Sequence, residues 1–116
     1  MVSEAPSALL RRWAHLLTPE TVQGPVLDVA CGDGRNGIYL AGLGLEVICC
    51  DRSRTVLHQA RITALRKNLR IKLWWADLEA SDRAPLPKNT FGAVLVFRYL
   101  YRPLIPEIRA SLRSGM

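Results

Sequence analysis

No stretch of the chain approaches the roughly 18 consecutive apolar residues that span a bilayer, so no membrane partner is expected. The opening residues, Met1-Val2-Ser3-Glu4-Ala5-Pro6, lack a basic segment leading into an apolar one, which argues against a secretory signal. Cysteine is scarce: Cys31, Cys49 and Cys50 are odd in number, two are adjacent, and all sit in apolar segments. That usage suits a reduced, cytoplasmic protein better than a disulfide scaffold. Histidine is scarcer still. His15 and His58 lie far apart and no Cys/His spacing matches a ligand set, so no metal site and no histidine-based triad are expected. Internal repeats and low-complexity tracts are absent.

What remains is an ordinary globular composition, 49% apolar and 22% charged over 116 residues, enough for a single domain spanning 1–116. The net charge of +6 comes from sixteen basic residues, all but three of them arginine. They are spread along the chain. Arg54 and Arg61 share a predicted helix face, with Arg66, Lys67, Arg70 and Lys72 close behind. No aromatic residues interleave with these charges as base-stacking platforms would, so they read as a solvated face and a nucleic-acid partner is not expected.

Helical and strand-like segments alternate. Leu9, Leu10, Trp13, Leu16 and Leu17 fall at helical spacing over residues 7–17, ended by Thr18-Pro19. Residues 26–31 form a short apolar run of buried-strand length. A glycine-bearing turn then opens a helix over 35–43, closed by Gly44. A second strand covers 46–50 and a helix capped by Ser53 runs to Lys67, with Val56, Leu57, Ala60 and Ala64 on one face. A third strand spans 70–75. A polar loop over 81–90 leads into a fourth strand at 92–97, and a last helix covers 104–113. Strands alternating with helices predict an α/β fold, a doubly wound parallel sheet.

The most informative stretch is Asp28-Val29-Ala30-Cys31-Gly32-Asp33-Gly34. Glycines at a strand-to-helix turn let backbone approach a ligand closely, although a plain tight turn also favours them. Asp28 needs a further reason. A carboxylate inside a strand buried on both faces costs several kcal/mol unless it meets a cation or donors. Asp51 closes the second strand, where a carboxylate accepts from both ribose hydroxyls in nucleotide-binding α/β folds. Asp77 follows the third strand at the same sheet edge, placed to accept from an adenine amino group beside Leu78.

Asp28-x-Ala30-x-Gly32-x-Gly34, then Asp51, then Ala76-Asp77-Leu78, then Phe91-Gly92-Ala93-Val94 resembles the ordered motifs of class I S-adenosylmethionine-dependent methyltransferases. Cys31-Gly32-Asp33-Gly34-Arg35-Asn36 and Tyr39-Leu40-Ala41 are most similar to the tellurite-resistance-type small-molecule methyltransferases. The resemblance implies a Rossmann-like core over 25–116 with strand order 3-2-1-4, an S-adenosylmethionine cofactor and a small-molecule methyl acceptor. It places Asp28, Ala30, Gly32 and Gly34 at the methionine portion of the cofactor. Asp51 falls at the ribose, Arg52 along one adenine face, and Asp77 and Leu78 at adenine. Phe97, Arg98 and Tyr99 border the methionine end, with Arg98 and Tyr99 as substrate-side candidates. Ala30 stands where the family usually has its first glycine. The N-terminal helix is expected to pack on the sheet; a lid over the cofactor, with Trp13, is the alternative.

Two other readings stay open. Gly32-Asp33-Gly34-Arg35-Asn36-Gly37 also fits the G-x-G-x-x-G fingerprint of an NAD-dependent oxidoreductase. A pyrophosphate gives no reason to bury Asp28 nearby, however, and no Tyr/Lys or His/Asp set follows. The resemblance also implies seven strands where this chain supplies four. A non-catalytic, truncated cofactor-binding module completed by a partner is therefore expected as an alternative, with an exposed fourth strand open to self-association.

Overall fold

The computed structural model describes residues 6–97, 99 and 101–113. Four parallel strands, β1 (Val26–Val29), β2 (Val47–Asp51), β3 (Lys72–Trp75) and β4 (Ala93–Val96), form one sheet in the order β3-β2-β1-β4. Helices α1 (Ala8–Trp13), α2 (Arg35–Gly42), α3 (Arg54–Arg66) and α4 (Ile105–Ser111) complete it, with short 3-10 turns at Ala14–Leu16 and Arg102–Leu104. This is the doubly wound α/β architecture predicted from the pattern.

Side chains alternate across a strand, so β1 feeds two cores. Val26 joins Leu10, Leu40, Val47, Cys49, Leu57 and Leu95 on one face. Leu27 and Val29 join Cys50, Leu78, Leu86, Phe91 and Leu104 on the other. All four residues of β1 are buried, Asp28 among them.

The helices begin and end where local chemistry dictates. The Ser53 hydroxyl accepts from the Val56 N–H and caps α3, whose buried stripe is Leu57, Ala60 and Ala64. Val56 is half-buried. Gly44, at φ +93°, follows the end of α2 in the left-handed conformation that closes helices. The last helix is shorter than predicted. The Ser111 hydroxyl donates to the Ile108 carbonyl and competes with the helical ladder, and Leu112 turns extended to bridge Phe91 in parallel.

The N-terminal helix differs from its predicted face. Leu10 and Ala14 point inward, whereas Leu9, Leu16 and Trp13 (46% exposed) face out. Trp13 packs its ring against His15 and Arg12, away from the sheet. The helix starts where it does because the Ser7 N–H donates to Asn36 Oδ1 at 2.7 Å, tying the segment before α1 onto α2.

Candidate functional site

The carboxyl ends of β1, β2 and β3 and the segment after β4 surround two adjoining hollows that share Ala30. The first, of about 370 Å³, is lined by Asp51, Arg52, Asp77, Leu78 and Tyr99, among others. The second, of about 690 Å³, holds Asp28, Gly32, Asn36 and Phe97 under a rim of Pro6, Ser7, Ala8 and Leu9.

Backbone conformation explains why the chain opens here. Ala30 (φ +53°), Gly32 (φ +58°) and Gly34 (φ +81°) all occupy the left-handed region, so β1 cannot continue and the chain swings up before α2. The two glycines do different work. A Cβ on Gly32 would meet nothing within 4 Å and would project into the open. A Cβ on Gly34 would lie 2.8 Å from the Ala60 Cβ, so Gly34 lets α2 and α3 close on each other and lines neither hollow. Its N–H donates within the turn, to the Cys31 carbonyl. Ala30 carries the cost of a side chain in left-handed backbone, and Ala30→Gly is expected to raise stability by about 1 kcal/mol. A higher urea midpoint with an unchanged slope checks this.

Asp28 is 2% exposed, its Oδ2 has no hydrogen-bond partner, and no cationic side chain among the described residues pairs with it. Burial pushes its carboxyl from 3.8 up to about 7; the Gly37 N–H offsets part of this, and the nearby negative charges of Asp51 and Asp33 add to the rise. Gly37 is required beside it, because a Cβ there would come within 3.2 Å of Asp28 Oδ2 and 3.0 Å of Cys49 Sγ. Hydrogen bonding with Cys49 and burial raise the Cys31 thiol, and burial brings Cys50 up to about 12, which favours the protonated thiol in both.

Asp51 braces the turn. Its Oδ2 accepts from the Gly32 N–H at 3.0 Å and its Oδ1 from the Ser53 N–H at 2.9 Å. Each carboxylate oxygen retains a second lone pair for a ligand. Arg52 is exposed at the edge of the first hollow, its carbonyl fixed by the Trp75 Nε1–H at 2.9 Å. Asp77 Oδ1 accepts from the Glu79 N–H, and Leu78 is buried beneath it. Tyr99 Oη donates to Glu79 Oε2 at 3.2 Å across that hollow, and Phe97 packs between the second hollow and the core. Arg98 lies outside the described residues.

The structure adds residues that pattern reading missed. Arg83 and Glu107 form a half-buried bidentate pair at 2.9 and 2.8 Å, while Arg83 Nε donates to the Leu78 carbonyl and Glu107 Oε1 accepts from the Leu86 N–H. The pair holds Leu78 from behind and ties the 76–90 loop to α4. The Asn36 side chain and the Pro6–Leu9 rim are further additions; Trp13 takes no part in that rim.

The hollows thus bring together a buried carboxylate with one oxygen unpartnered, an open glycine bend and two acidic strand ends. A family described as a methyltransferase domain matches residues 26–115. The Haemophilus influenzae protein named "Probable S-adenosyl-L-methionine-dependent methyltransferase TehB" is 30% identical over 91 residues, 77% of this chain and 31% of the relative. The chain thus spans about a third of the length of the curated relatives it matches. Among solved structures, TehB from Haemophilus influenzae aligns with a TM-score of 0.65 at 26% identity, over 90% of this chain and 35% of that one. Pyrococcus abyssi tRNA (uracil-54, C5)-methyltransferase, in complex with S-adenosyl-L-homocysteine, aligns with a TM-score of 0.64 at 27% identity, over 88% and 25%. The chain belongs to the class I methyltransferase family.

Proposed function

We propose that the two hollows bind S-adenosylmethionine and that the chain forms the cofactor-binding part of a methyltransferase acting on a small molecule. S-adenosylmethionine is the methyl donor of this family, and the observation that carries the assignment here is the orphaned Asp28 carboxylate. When bound, the cofactor supplies a methyl group already activated by its sulfonium.

The protein's own residues position and shield. Asp28 would accept from the amino group of the methionine portion, beside the open face of Gly32 and Ala30. Asp51 would receive the ribose hydroxyls on its free lone pairs while still bracing Gly32. Asp77 would accept from the adenine amino group, with Leu78 and Arg52 against the ring. Phe97, in the hollow that holds Asp28, borders the side from which an acceptor enters, whereas Tyr99, expected there too, stands instead at the adenosine hollow with its hydroxyl on Glu79. No residue is assigned as a catalytic acid or base, because aligning an acceptor with an activated methyl is enough to carry such a reaction.

The comparisons favour methyl transfer over the oxidoreductase alternative. A small-molecule acceptor is supported by the similarity to TehB and by motifs of its type in this chain. Cytoplasmic placement is supported by three free thiols, and no helix among the described residues is long and apolar enough to cross a membrane. Self-association through β4 is supported by its place at the sheet edge, where Val96 is 40% exposed.

Asp51→Ala is expected to weaken S-adenosylhomocysteine binding by about tenfold or more, since it removes both the ribose acceptor and the brace on Gly32. Calorimetric titration reads this directly. Wild-type affinity in that variant would remove Asp51 from the site.

A further inference from the structure

A third hollow, of about 280 Å³, lies on the outer surface between α2 and α3, apart from Asp28 and the first hollow. Small residues create it. Gly34 against Ala60 draws the start of α2 onto α3, and the larger Ile38 and Ile62 then leave a trough beyond that contact. Its floor is apolar, with Ile38 buried and Ile62 38% exposed, an uncovered aliphatic side chain on a helix otherwise rich in polar residues.

Its rim is cationic. Arg35, Arg66 and Lys67 line it against one acid, Asp33, whose Oδ1 is engaged by the Arg35 backbone N–H. The ion pairs among the described residues are Lys72–Glu46 and Arg83–Glu107, so none of the three rim cations is paired. Three unpaired cations around an apolar floor complement a ligand that is anionic at one end and apolar at the other. The trough has no aromatic wall on which a base could stack.

We propose that the α2–α3 trough is a binding site for a small organic anion, a carboxylate or phosphate monoester carrying a compact apolar body. Asp33 and Arg35 also line the hollow that holds Asp28, so the two sites share a wall. The trough's other lining residues, Ile38, Ile62, Arg66 and Lys67 among them, belong to neither of the other hollows, so joint occupancy is expected.

Titration of the whole chain with phenyl phosphate, followed by ligand-observed NMR, tests the site. Binding is expected in wild type and at least about tenfold weaker in the Arg66→Ala/Lys67→Ala double variant. Ile62→Gln is expected to weaken it severalfold while inorganic phosphate binds more poorly than phenyl phosphate throughout. All these side chains are exposed, so unchanged circular dichroism and melting accompany both variants. Saturating S-adenosylhomocysteine is expected to leave the probe bound. No binding, equal binding of inorganic phosphate, indifference to both variants, or displacement by S-adenosylhomocysteine would each overturn the proposal. Preference for a single-stranded oligonucleotide that tracks salt and ignores Ile62→Gln would do so too. Because phenyl phosphate binding is read directly, its failure leaves the cofactor assignment standing, and the converse also holds.

Discussion

Asp28→Asn is expected to stabilise the free protein at pH 8 while lowering its affinity for S-adenosylhomocysteine by about a hundredfold. The stabilising half follows from where the charge sits. In the unfolded chain the carboxyl releases its proton near 3.8; in the folded chain it does so at about 7. Between those values the folded state holds the extra proton, so stability falls as pH rises through the window and stays low above it. A carboxyl moved that far corresponds to about 4 kcal/mol of disfavour at pH 8. Asparagine removes the charge but leaves a buried amide short of partners, which returns about 1–3 kcal/mol of the gain. The net rise in melting temperature is roughly 5 °C or more. At pH 5, where wild-type Asp28 is largely protonated, the advantage shrinks to less than half. The functional half follows from the same burial: a neutral amide cannot balance an ammonium group as a carboxylate shielded from water does. Differential scanning fluorimetry at the two pH values, with calorimetry, measures both. A variant less stable at pH 8, or one that binds normally, would contradict the account of the site.

Gly34→Ala and Gly32→Ala are expected to fail in different ways although both glycines occupy left-handed backbone. At Gly34 the added methyl would lie 2.8 Å from the Ala60 Cβ, so the helices must separate or strain. The loss is about 2–4 kcal/mol, from the backbone and the overpacking together. At Gly32 nothing lies within 4 Å, and the loss is about 1 kcal/mol from the backbone alone. The Gly32 methyl instead projects into the hollow beside Asp28, and cofactor affinity falls by about tenfold or more. Urea unfolding separates the two stabilities, and S-adenosylhomocysteine titration of the folded fraction separates the two affinities. Equal stability losses would mean that the open space at Gly32 is not real.

The contrast shows what could be read from the chain and what could not. The glycine turn, Asp28, Asp51 and Asp77 were legible because each belongs to a segment whose period or punctuation is local, and the parallel sheet then aligns all the strand ends at one edge. Their division between two hollows was not legible, because it depends on which face of the sheet each residue takes after Ala30. Gly34 looked like a second ligand-facing glycine; only the position of Ala60, on the next helix, shows that it serves packing. In the N-terminal helix Leu9, Leu10, Trp13, Leu16 and Leu17 all fall at helical spacing, and hydrophobicity alone does not say that Leu10 turns inward with Ala14 while Leu9, Trp13 and Leu16 face out. Small Ala14 fits under the helix where Trp13 would not. Arg83 and Glu107 are 24 residues apart with no periodic relation, so their clamp on Leu78 leaves no trace in the pattern.

The central claim is that Asp28 is a carboxylate held in low dielectric until a cationic ligand arrives. Carbon-detected NMR titration of its side-chain carboxyl, with and without S-adenosylhomocysteine, measures that state directly. The account predicts a midpoint near 7 in the free protein and a fall of about two pH units or more on binding. A midpoint in the ordinary carboxylate range without ligand, or one that the ligand does not move, would contradict it.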